Sequence, residues 1–128
     1  MKSLMLFLVT GLMMMSTSLQ AETKYERLYS DCVAEAGTMN NTIMVGCSEQ
    51  TSVVAKDDIT RAYQKIEKKL SLYDDATDLA KALVASQKAW INYRDTHCEL
   101  SHRIAAQTPY CLMLVNAKRA EELGILAE

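Results

Sequence analysis

The stretch Met44 to Tyr73, MVGCSEQTSVVAKDDITRAYQKIEKKLSLY, decides how the rest of the chain is read. Met44, Cys47, Thr51, Ala55, Ile59, Ala62, Ile66, Leu70 and Tyr73 recur at steps of three and four, one stripe of a helix for about eight turns. Gly46 weakens only its first turns, by about 1 kcal/mol relative to alanine. Asp74, Asp75 and Asp78 then supply the acids that suit a helix N-terminus. Leu79, Leu83, Ser86, Trp90, Tyr93, His97 and Leu100 carry a further helix from about residue 75 to 102. Two helices of nearly equal length, on the order of 40 to 45 Å and joined by a tight turn, predict an antiparallel hairpin.

On either side of this hairpin the pattern is shorter. Tyr25, Leu28, Tyr29, Cys32, Val33 and Ala36 form one stripe over residues 24 to 36, with Gly37 as the stop. Thr108 followed by Pro109 reads as an N-cap with proline in the first turn. Tyr110, Leu114, Val115, Lys118 and Leu123 make the fourth helix, with Gly124 as its expected end. The expected fold is therefore all-α: a small disulfide-stapled bundle with a long antiparallel central hairpin and two shorter flanking helices.

The first 21 residues read as an address. Lys2 gives a positive start, Leu4 to Met15 is almost wholly apolar, and Ser16 to Ala21 ends on a small residue suited to signal-peptidase cleavage. The apolar run is shorter than the roughly 20 residues a membrane span requires. Residues 1–21 are thus expected to be a cleaved signal and residues 22–128 a single helical domain, periplasmic or secreted, without stable membrane insertion. Losing Lys2 leaves 13 basic against 16 acidic side chains, a charge of -3, and no basic footprint for nucleic acid. Beyond the address, three glycines and Pro109 alone are too few for the turns of a sandwich or barrel.

Cys32, Cys47, Cys98 and Cys111 are an even count in a small exported chain, the mark of a disulfide framework. No Cys-x-x-Cys spacing supports zinc or a redox dithiol. The hairpin brings Cys47 and Cys98 to one end, and Cys32 and Cys111 lie at the adjoining ends of the short helices. Cys32–Cys47 with Cys98–Cys111 is the preferred pairing, each bridge closing a loop of about 15 residues worth roughly 3 kcal/mol. The other two connectivities stay open.

No catalytic motif appears: there is no Gly-x-Ser-x-Gly, His-Glu-x-x-His or phosphate-binding glycine loop, and no enzyme, metal or cofactor is expected. Asp57-Asp58 and the acids near Asp74 read as a solvated helix face and a helix start. Gln87, Trp90, Arg94 and Cys98 share one face of the third helix. Arg94 is expected to stack on Trp90 and to find an acid or carbonyl on a neighbouring helix, because an unpaired buried charge costs several kcal/mol. Arg119 and Glu122, three apart, read as a local ion pair.

The run Gln87-Lys88-Ala89-Trp90-Ile91-Asn92-Tyr93-Arg94-Asp95-Thr96-His97-Cys98 resembles the signature of the LprI-type lysozyme-inhibitor domain family, in which Gln-x-x-Trp-x-x-Tyr-Arg-Asp-x-x-Cys recurs. Cys32, Met44-x-x-Cys47, Ile59 and Tyr63 match upstream, and Cys111, Arg119, Glu122 and Leu123 match downstream, so the resemblance spans residues 28 to 123. Asn116 departs from a common threonine. Glu99 to Pro109 is shorter than the glycine-containing loop often found there. The resemblance implies an exported helical protein that inhibits lysozyme; a narrower reading is that it guards its own cell by binding a muramidase-type toxin delivered by neighbouring cells. An acidic inhibitor would be steered to a cationic enzyme. Ser101, His102 and Arg103 are the candidate donors for a glycosidase carboxylate. From another class comes a structural envelope protein that binds peptidoglycan or a membrane complex without inhibiting. Apolar surface left by the two short helices also suits a homodimer.

Overall fold

The structure is a computed structural model that describes residues 21–128; the apolar address, apart from Ala21, lies outside the described residues. Four helices follow one another: α1 Lys24–Ala36, α2 Asn41–Leu70, α3 Ala76–Ala105 and α4 Thr108–Ala127. α1 opens on a capping box, in which the Thr23 hydroxyl accepts from the Glu26 amide and the Glu26 carboxylate accepts from the Thr23 amide at 2.7 Å. It closes on Gly37 in the left-handed region at φ 69°. α2 begins three residues before Met44 because the Asn40 side chain caps it, accepting from the Ile43 amide at 3.0 Å.

Helix boundaries also differ from the sequence reading at the end of α3 and at both ends of α4. α3 continues to Ala105 and stops at Ala106, which takes a left-handed φ of 52°. α4 takes in Thr108 as a helical residue: the Gln107 carbonyl accepts from Cys111 at 3.0 Å, and no side chain caps the end. Gly124 does not end α4, because the buried Leu123 and the packed Ala127 keep the last turn on the core, against a local glycine cost of about 1 kcal/mol. Only Ala106 and Gln107 therefore link α3 to α4.

The central packing runs between α2 and α4, which lie side by side and parallel, with α1 and α3 running back along them. Ala55, Ala62 and Ala120 let the two helices approach closely, and Ile59, Ile66, Leu83, Leu123 and Tyr25 fill the remaining space. Toward the disulfide end the interface turns polar. Ser48, Thr51, Ser52 and Asn116 are all buried there, and Asn116 Nδ2 donates to Ser52 Oγ at 2.7 Å. α3 is held more sparsely: of its 30 residues only Leu83 and Cys98 are buried.

Asp58 is not on a solvated face, as the sequence suggested. Its carboxylate accepts from Lys24 Nζ at 2.7 Å, from Tyr25 Oη at 2.8 Å and from Arg61, tying the start of α1 to α2. Burial works to raise the Asp58 pKa, but the hydrogen bonds from Lys24, Tyr25 and Arg61 outweigh it and hold the carboxyl below its ordinary value. Burial, then the hydrogen bond to Asp58, push the Tyr25 phenol up. A carboxyl with a lowered folded pKa stabilises fully above the unfolded value near 3.9, and that contribution disappears as pH falls through the folded value. Denaturation midpoints of the native chain are expected to drop below about pH 4. For Asp58→Asn the neutral-pH midpoint should be lower and the acid limb shallower; parallel acid limbs would show that Asp58 does not carry the effect.

Candidate functional site

The structure bonds Cys32 to Cys47 and Cys98 to Cys111, with Cα separations of 5.7 and 5.5 Å, so each long helix is stapled to a short one at the same end of the bundle. Tyr29 of α1 meets Tyr110 of α4 edge to face at 5.5 Å near that end. Ser101, His102 and Arg103 lie in the last turns of α3, not on a loop. Ser101 is half-buried, whereas His102 and Arg103 are exposed, and Arg103 Nε donates to Glu99 at 3.0 Å. The His102 carbonyl accepts from Ala106 and closes the helix.

Farther along α3, two guanidinium groups lie over Trp90: Arg94 at 5.1 Å and Arg119 of α4 at 5.7 Å from the ring centroid. The Arg94 partner is its own neighbour Asp95, at 2.7 Å, instead of a group on another helix. Its partly exposed position explains this, since water and an adjacent carboxylate satisfy the charge without a cross-helix partner. Arg119 is the buried one. It pairs with Glu122 at 3.5 Å, and it also crosses to α3, donating from Nε and Nη2 to Gln87 Oε1 at 3.2 and 3.0 Å and from Nη2 to Ser86 Oγ at 3.2 Å. Sequence spacing within α4 shows Glu122 but hides this cross-helix fork. Tyr93 points outward and stacks on His97 at 5.2 Å.

Two of the clefts along α4 lie on its α1 and α3 sides. One, of about 310 Å³, lies against α1 and includes Tyr25, Tyr29, Tyr110, Met113 and Ala117. The other, of about 270 Å³, lies against α3 and includes Trp90, Tyr93, Val115, Arg119 and Glu122. Among the described residues no cluster of three or more His, Cys, Asp or Glu is arranged to hold a metal, and no helix is long and apolar enough to cross a membrane.

The Trp90 cluster and both bridges fall inside residues 32–123, which match the family model described as "Lysozyme inhibitor LprI". The chain belongs to the LprI family. No curated protein and no solved structure matches it. Within this LprI chain the signature divides by role in the fold. Gln87, Trp90 and Arg119 join α3 to α4, Cys98 staples the same two helices, Arg94 stays within α3 on Trp90 and Asp95, and Tyr93 and Asp95 face outward. The family description names an inhibitor of lysozyme; in this chain most of the signature residues hold α3 against α4.

Proposed function

We propose that this LprI protein is exported, released after Ala21, and inhibits a peptidoglycan-cleaving muramidase by covering its cleft without turnover. The family match over residues 32–123 carries the reading. The net acidity of the chain supports it, because a basic enzyme is attracted to an acidic inhibitor. The target is a host lysozyme or a muramidase-type toxin from neighbouring cells; in the second case the protein acts as an immunity factor. Ser101, His102 and Arg103 supply donors at the stapled end, and the exposed Glu99–Arg103 pair, worth only about 0.3 to 0.5 kcal/mol, is easily exchanged for a carboxylate of the target.

The test is inhibition of a panel of purified host and bacterial muramidases by residues 22–128. Dose-dependent loss of hydrolysis by at least one enzyme is expected; a full rate with every member would sink the proposal. Changing Ser101, His102 and Arg103 together to alanine is expected to weaken inhibition about tenfold, the scale of one lost charge-assisted hydrogen bond. Undiminished potency removes these three from the contact. A strain lacking the protein, challenged separately with host lysozyme and with toxin-delivering neighbours, separates the two targets.

A further inference from the structure

The two clefts beside α4 are parts of one face. Leu114 and Lys118 line both, forming a ridge with a groove on each side, and no α2 residue lines either groove. Leu114 is 48 % exposed on this ridge. The face continues along α3: Tyr93, His97, Leu100 and Ile104 follow at steps of four, three and four, so they share the side of the helix on which Tyr93 opens into the cleft. Leu100 and Ile104 are 55 % and 77 % exposed, an apolar stripe the core does not use.

The walls are cross-linked to their neighbours. α1 is pinned at one end by Cys32–Cys47 and at the other by Asp58; α3 is pinned by Cys98–Cys111 and by the Arg119 fork. A surface already fixed in shape loses little entropy when it binds. The α1 groove is net acidic: Glu26 and Glu121 edge it, neither with a cationic partner among the described residues, against the single cation Lys118. The two cations of α1 itself are engaged, Lys24 by Asp58 and Arg27 by Glu22 at 3.9 Å. Two copies meeting through this face would bring like charges together; a basic partner would not.

We infer that this face, centred on Leu114, is where the target docks: the ridge and its grooves take apolar side chains of a muramidase whose surrounding surface is basic. The inference rests on the inhibitor reading and places the Ser101–Arg103 turn at the margin of the contact instead of its centre. Binding hot spots cluster at the centre of an interface and are rich in tyrosine and tryptophan, the residues that line the grooves on either side of Leu114.

Leu114→Arg and Ala117→Arg test the ridge and the α1 groove, and Leu72→Arg, 84 % exposed in the turn between α2 and α3, is the control. Each is assayed against a muramidase that the native protein inhibits, with helicity and melting temperature followed by circular dichroism. Leu114→Arg and Ala117→Arg are expected to weaken inhibition roughly thirtyfold or more, and Leu72→Arg to leave it unchanged. Lys118→Glu, an exposed change, is expected to tighten binding roughly threefold, which a merely structural role would not produce. Folded arginine variants with native potency overturn this face and leave the inhibitor reading standing, as does a Lys118→Glu variant that binds no better. A native dimer that Leu114→Arg dissolves without loss of inhibition assigns the face to a second copy and overturns the inference. If the native protein is inert on every muramidase, the inhibitor reading fails and this inference fails with it.

Discussion

Replacing Cys98 and Cys111 together by alanine is expected to remove about 3 kcal/mol of stability, the chain-entropy value for a bridge closing a loop of 13 residues. For a domain of this size that is a fall in melting temperature on the order of 10 to 20 °C. The loss should be concentrated in α3. That helix buries only Leu83 and Cys98, and Cys98 is itself the bridge, so its C-terminal half keeps little else to hold it against α4. Limited proteolysis of the variant should therefore cut first between Tyr93 and Ala105. α1 responds differently to loss of its own bridge, since Asp58 still holds its start and Tyr110 still meets Tyr29. A Cys98→Ala/Cys111→Ala protein that melts within a few degrees of the native one would show that packing alone secures α3.

The second large effect is at Arg119. Methionine at this position keeps most of the volume beside Trp90 and removes all three donated bonds to Gln87 and Ser86, leaving Gln87 Oε1 without its partner at a partly buried site. A fall of about 3 kcal/mol is expected, because hydrogen bonds from a charged donor contribute about 1.5 to 3 kcal/mol and the orphaned acceptor adds its own cost. Lysine should recover part of this and not all, since it cannot present the planar fork that reaches two acceptors at once. Urea midpoints of Arg119→Met, Gln87→Leu and the double variant decide the point. The double variant should be less destabilised than the sum of the single ones by about 1 to 2 kcal/mol. Strict additivity would mean that the fork contributes nothing specific.

The helices were legible because helix formation here depends on a local period that Ile59, Ala62, Ile66 and Leu70 display in full. What was illegible depends on distant partners. Gly124 carries a stop signal, yet α4 passes through it because Leu123 and Ala127 find the core of α2, which no local pattern reveals. Asp58 looks like half of a solvated acidic pair; only the return of α1 brings Lys24 and Tyr25 over it. Arg94 and Arg119 exchange their expected importance for the same reason. Arg94 stands beside Trp90 in sequence and settles on its neighbour Asp95, whereas Arg119 is remote in sequence and becomes the buried bridge. The proposed docking face was the least visible part. Its ridge, grooves and stripe come from three helices, and the signal in the sequence was a surplus of apolar residues on α3, including Leu100 and Ile104, beyond what a core helix needs.

The sparse attachment of α3 also bears on when the protein matures. Where thiols are kept reduced, the newly made chain has neither staple, and its third helix is docked chiefly by Leu83, Trp90 and the arginine fork. On the proposed reading, the α3 side of the docking face would be completed only when Cys98 and Cys111 are joined, a step that an oxidising compartment allows.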